Sequence, residues 1–145
     1  MKRLIITEAQ LKIIKEHIIG VDPINDTNNH EKSLQTVINK QRNIGFFGGA
    51  TPEEVNNLKK SGLKYIAINK NNAYVFFNDG YEENGNELAA IARRFNGFLP
   101  ADGKISFNGL HATPEEVYRI GILLGYREDS IKKHILDKFP NYQFY

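Results

Sequence analysis

The four histidines, His17, His30, His111 and His134, are the side chains best suited to metal binding or proton transfer. None of them builds the HExxH pattern that puts two ligands and a base on one helix face. Glu16 and His17 are sequence neighbours and so point to different faces of a helix. Four ordinary surface or half-buried histidines are expected, with no metal and no cofactor. The chain has no cysteine, which excludes thiolate ligands, disulfides and a thiol nucleophile. Ser33, Ser61, Ser106 and Ser130 lie outside any Gly-x-Ser-x-Gly turn, so nothing points to a serine hydrolase. No nucleophile–base pair can be named, and a non-catalytic protein is expected.

Two loops have features of ligand sites. Gly45-Phe46-Phe47-Gly48-Gly49 precedes a helix, as a phosphate loop does, but lacks the Gly-Lys-Ser/Thr ending. The helix that follows opens Thr51-Pro52-Glu53-Glu54. Proline removes a donor there, and the two carboxylates repel an anion from the positive end of the dipole. Thr113-Pro114-Glu115-Glu116 has the same character. The acidic stretch from Asn78 to Glu87 does not follow the alternating calcium-loop pattern and reads as solvated loop.

Arg93-Arg94-Phe95-Asn96-Gly97 is the most binding-like stretch. Cations at a helix C-terminus complement the dipole, which is one sufficient reason for both arginines. The functional reading has Arg93, Arg94, Asn96, His111, Tyr118 and Arg119 converge on an anionic ligand or on a partner's acidic patch, with Tyr118 as a stacking surface. The turn Asp102-Gly103 belongs to the same span. A second reading is a helix-turn-helix over residues 117–136. Ile120, Gly121, Leu124, Gly125 and Ile131 have its apolar-small-apolar-Gly-apolar spacing, and His134 stands where an aliphatic residue is usual. Its second helix opens on Glu128 and Asp129. Over residues 97–145, Lys104, Arg119, Arg127, Lys132, Lys133 and Lys138 are balanced by Asp102, Glu115, Glu116, Glu128, Asp129 and Asp137. A DNA-binding module normally carries a basic face, so nucleic acid is not the expected partner.

These residues need a scaffold, and the chain can supply one. Its 145 residues, 41% hydrophobic and 25% charged with a net charge of +2, suit one soluble domain over residues 1–145. Residues 2–6 read as a short strand or extended arm. Thr7 caps a helix carrying Leu11, Ile14 and Ile18 up to Gly20. A second helix is expected from His30 to Arg42 with Leu34, Val37 and Ile38 inward, then a flexible aromatic connector over 45–49. The helix from Thr51 stops at Gly62. Residues 64–69 and 73–77 flank Lys70-Asn71-Asn72 as a β-hairpin. A polar loop over 78–86 leads to a helix from Glu87 to Phe95 with Leu88, Ile91, Ala92 and Phe95 inward. An αα-hairpin closes the chain, with Ile120, Leu124, Ile131 and Ile135 as its seam, and Pro140 ends it. The fold class is therefore α+β: a small antiparallel sheet with four to five helices.

The aromatic tail Tyr142, Phe144 and Tyr145, together with Phe46 and Phe47, suggests an interface and a homo-oligomer, unless the tail folds back on its own domain. The string Ala-Thr-Pro-Glu-Glu-Val at 50–55 and 112–117 has unrelated flanks and reads as two uses of a favoured helix start. Only three apolar residues stand between Arg3 and Thr7, too few for a signal-peptide core, and no run is long enough to span a bilayer. A cytoplasmic protein is expected.

The opening Met1-Lys-Arg-Leu-Ile-Ile-Thr-Glu-Ala-Gln-Leu11 resembles those of many small bacteriophage proteins. Residues 112–131, with Tyr-Arg-Ile-Gly-Ile-Leu-Leu-Gly-Tyr at 118–126, resemble a C-terminal helical segment of phage and mobile-element proteins. The resemblance implies a source, and no catalytic residue comes with it. The expectation is a phage-encoded binding protein that sequesters a host protein or a small anionic ligand, as a counter-defence inhibitor or sponge, or else a virion or assembly component.

Overall fold

Both Thr-Pro-Glu-Glu strings do what their chemistry requires in the computed structural model, which describes residues 29–99 and 112–144. Thr51 and Thr113 each accept a hydrogen bond from the backbone N–H three residues on, and Glu54 and Glu116 reach back to the cap N–H. The elements in chain order are α1 (His30–Ile38), β1 (Ile44–Phe47), α2 (Pro52–Lys60), β2 (Lys64–Ala67), β3 (Tyr74–Phe77), α3 (Glu82–Arg94), α4 (Pro114–Leu123) and α5 (Glu128–Lys138). The class is α+β, with five helices and a three-stranded antiparallel sheet ordered β1-β3-β2. The expected arm at 2–6, the first helix, the turn at Asp102-Gly103, His111 and Tyr145 lie outside the described residues.

The hairpin forms as expected, with Ile66 opposite Val75 and Ala67 opposite Tyr74. Central β3 is covered on both faces, which is why it reads as an unbroken apolar run. Val75 and Phe77 pack with Ile44, Leu88, Ala92, Ile120 and Leu124 on one side. Phe76 packs with Phe47, Leu34, Val37 and Leu58 under α1 and α2 on the other. A third cluster joins Phe95, Val117, Ile131 and Ile135. Ile120 and Leu124 are buried, but they face the sheet; the α4–α5 seam is instead Val117 and Gly121 against Ile131 and Ile135.

Three boundaries differ from expectation. Residues 44–47 are the strand β1 and not a connector, because Gly45 gives room for a cross-strand ring: a Cβ there would stand 2.3 Å from the Phe76 ring. α3 starts at Glu82, five residues before Glu87, since Glu82 and Glu83 complement its N-terminal dipole and Gly85 seats the Phe77 ring, 2.6 Å from where a Cβ would be. α1 stops at Ile38, and Lys40 turns left-handed, φ 59°. Ile38 consequently points outward, 36% exposed, whereas Leu34 and Val37 are buried as expected.

Candidate functional site

The arginines of the 93–119 span divide into two groups. Arg94 pairs with Glu116, and Arg119 grips Glu87 with two hydrogen bonds, Nε to Oε2 at 2.6 Å and Nη2 to Oε1 at 2.7 Å. Glu87 and Arg94 lie two turns apart on α3, while Glu116 and Arg119 lie one turn apart on α4, so the pairs form a ladder between the helices. Arg94 also lies over the Phe95 ring, 4.8 Å from its centroid. These two guanidinium groups have carboxylate partners of their own and do not converge on an open anion site. Tyr118 is engaged too. Its hydroxyl donates to Glu128 at 2.9 Å and its ring lies 6.1 Å from that of Phe144. Burial, and then the adjacent Glu128 carboxylate, push its phenol above its usual pKa.

The ladder has a pH signature. The hydrogen bond from Arg119, set against some desolvation, holds Glu87 below its ordinary 4.5. A carboxylate whose folded pKa is depressed contributes stability that is fully present above the unfolded value and lost as pH falls through the folded one. Both partners are about half exposed, so the whole pair is worth under about 1 kcal/mol. Arg119→Ala is expected to cost no more than that at neutral pH. Thermal melts from neutral pH to well below 4.5 should show the gap between variant and parent closing as Glu87 protonates.

Arg93 and Asn96 remain at the surface end of α3. Asn96 follows the C-cap residue Phe95 in the left-handed region, φ 60°, and Gly97 comes next at φ 86°. This end abuts the turn between β2 and β3. The Lys70 ammonium donates to Asn96 Oδ1 at 3.4 Å, and Asn71 Nδ2 donates to the Gly97 carbonyl at 3.2 Å. The N–H groups of Gly49 and Ala50 donate to the carbonyls of Asn71 and Asn72 at 2.8 and 3.1 Å. Asn69, Asn71 and Asn72 are all left-handed, which asparagine tolerates better than most residues. Exposed Lys70 thus reaches half-buried Asn96, three residues after exposed Arg93 and two before Phe98, which is 36% exposed, on a backbone tied at three points. The sequence pattern marks Lys70 and Asn71 only as hairpin-turn residues and gives Phe98 no role. The left-handed preference of Asn71-Asn72 and Asn96-Gly97 was a usable local signal, whereas their proximity is long-range.

The aromatic residues do not assemble as one exposed cluster. Phe47 is a core residue, 4.7 Å from the His30 ring and 4.8 Å from that of Phe76, and Phe46 packs half-buried on the opposite face of the sheet. Tyr142 and Phe144 fold back on α4 and α5, edge to face with centroids 5.0 Å apart, and Lys132 lies over Phe144 at 5.5 Å. The tail is therefore occupied by its own chain.

His30 meets a distant carboxylate, Nδ1 to Glu54 Oε2 at 2.6 Å. Glu54 also closes the α2 capping box, so the pair joins the starts of two helices. Burial raises the Glu54 pKa, but the Thr51 N–H and His30 outweigh it and the net direction is downward. Among the described residues no group of three or more histidine and acidic side chains could hold a metal ion, and no helix is long and apolar enough to cross a membrane. No protein-family model matches the chain, and neither does any curated protein or solved structure.

Proposed function

We propose that the chain is a non-catalytic binding protein that holds an acidic patch of a partner protein at the C-terminal end of α3. The observation that carries this reading is the hydrogen bond from Lys70 to Asn96, which brings a second cation to the helix end that carries Arg93 and is followed by exposed Phe98, on a backbone fixed by hydrogen bonds. Arginine and aromatic side chains are enriched at protein interfaces, and a rigid mount lowers the ordering cost of binding. The pairing of Arg94 and Arg119 with carboxylates favours a protein surface over a small anion held in a pocket. With the phage-like sequence features, this supports a counter-defence inhibitor of a host protein in the host cytoplasm, with a virion or assembly role as the neighbouring possibility.

A helix-turn-helix role in DNA binding is the second reading, and a specific observation favours it. Gly121 lies so close to Ile131 that a Cβ would stand 2.8 Å from its side chain, and Gly125 turns left-handed at φ 73° between α4 and α5. Against it, α5 opens on exposed Glu128 and Asp129, which would face phosphate.

Fluorescence anisotropy separates the two. A labelled peptide of aspartate, glutamate and phenylalanine should bind the full chain, and Lys70→Ala with Arg93→Ala should weaken it at least about tenfold, roughly 1.4 kcal/mol. The melting temperature of this double variant should barely change. Undiminished peptide binding by the double variant rejects the α3 site. Salt-dependent binding of duplex DNA, lost in Lys133→Glu, would favour the second reading instead.

A further inference from the structure

The two edges of the sheet differ. β1 is buried along most of its length, whereas Lys64 and Tyr65 of β2 are exposed and Ile66 and Ala67 half-buried. The hydrogen bond from the Ile68 N–H to the Ala73 carbonyl, 2.9 Å, sets the phase of the β2–β3 ladder. Lys64 and Ile66 turn their amides inward to β3, so those of Tyr65 and Ala67 point outward. No other described strand pairs with that side of β2. Such an edge is a template for another strand unless something guards it.

The residue placed to guard it is turned away. The Lys64 ammonium binds Asp79 at 2.8 Å and Glu82 at 2.6 Å, on the α3 side of the sheet. Its charge is satisfied within its own chain, so it does not stand at the β2 edge as an unpaired cation. Side-chain sizes are complementary as well. Tyr65, 41% exposed, is the largest group on the edge, and Ala67, two residues on, is the smallest and lies on the same face.

We propose that β2 pairs antiparallel with β2 of a second copy about a two-fold axis at Ile66, placing Tyr65 of each copy opposite Ala67 of the other. In that register each Tyr65–Ala67 pair exchanges two backbone hydrogen bonds, and each ring covers the space that Ala67 leaves beside Tyr74, which already meets Tyr65 edge-on at 6.3 Å in its own chain. The two sheets become one of six strands, and no residue of the α3 end takes part. A four-residue strand pair covers much less than a standard interface of about 1,600 Å², so the dimer is weak and concentration-dependent.

Sedimentation equilibrium on the full chain over a wide concentration range tests this. The weight-average mass is expected to climb from 16.5 kDa toward twice that value. Ala67→Pro removes only an outward N–H and should leave the monomer fold intact by circular dichroism. It deletes two hydrogen bonds across the axis and should weaken the dimer about 30-fold. Ala67→Lys sets an unpaired charge against Tyr65 of the other copy and should do the same, and it decides the matter if the proline variant does not fold. A parent chain that stays monomeric throughout, or a dimer that survives in a folded Ala67 variant, overturns the proposal. Acidic-peptide binding by these variants should match the parent, which keeps the two readings separable.

Discussion

Gly97→Ala is expected to be the most damaging single added methyl among the described glycines, costing about 3 kcal/mol or more. The residue sits at φ 86°, where any Cβ is strained. The space is also taken: a Cβ would stand 2.3 Å from the Lys70 carbonyl oxygen and 2.7 Å from its carbon. That backbone cannot easily withdraw. The Lys70 carbonyl accepts from Ala73 at 3.1 Å, Asn71 accepts from Gly49 at 2.8 Å, and the Gly97 N–H is held by Ala92 at 2.8 Å. Relief therefore breaks at least one of these bonds in addition to the left-handed penalty. Chemical denaturation should show a much lower midpoint with an unchanged slope. A shift under about 1 kcal/mol would mean that the α3 end and the β2–β3 turn are not in contact.

Loss of Arg42 should come next. Its side chain is 3% exposed and donates to Thr36 Oγ1 at 2.9 Å, to the Leu124 carbonyl at 3.0 Å and to the Ser33 carbonyl at 3.4 Å. Leu124 is the C-cap of α4, so the guanidinium delivers positive charge and a donor to a helix end whose carbonyl lacks an intrahelical partner. It also lies 5.9 Å from the Tyr126 ring centroid, and Gly125 is close enough that a Cβ would stand 2.8 Å from Arg42 Cβ. Arg42→Met keeps the stem but removes these donors, and should cost about 2–4 kcal/mol, the scale of charged hydrogen bonds lost in a buried place. Arg42→Lys should recover only part of this, because one ammonium cannot reproduce a fork spread over Thr36, Ser33 and Leu124. Thermal unfolding of both variants checks it; a lysine variant as stable as the parent would show that charge alone matters.

What the sequence made legible was local. The Thr-Pro-Glu-Glu starts, the Gly62 and Gly125 stops and the hairpin around residues 70–72 depend on neighbours within a few positions, and each is found where expected. β1 was hidden because Gly45 looks like a linker until the Phe76 ring is laid on it. The first turn of α3 was hidden because Asn84 and Gly85 lower helix propensity locally, and only the Phe77 ring across the core makes Gly85 useful. The site was legible in part for the same reason. Arg93 and Asn96 stand together because they share a helix end. Only residue type links Arg94 and Arg119 to them in the sequence, and their pairing with Glu116 and Glu87 depends on how α3 crosses α4, which no local pattern encodes. In the sequence pattern Arg42 is only the last residue of a helix, yet its partner Leu124 lies 82 positions away.

The proposed binding surface is the α3 end with the turn it grips. Amide NMR of the isotope-labelled full chain, titrated with the acidic phenylalanine-containing peptide, tests it most directly. The predicted result is a set of concentration-dependent shifts centred on Lys70, Arg93, Asn96 and Phe98, with α5 and β2 nearly silent. Shifts that fall elsewhere and leave those four amides unmoved would contradict it.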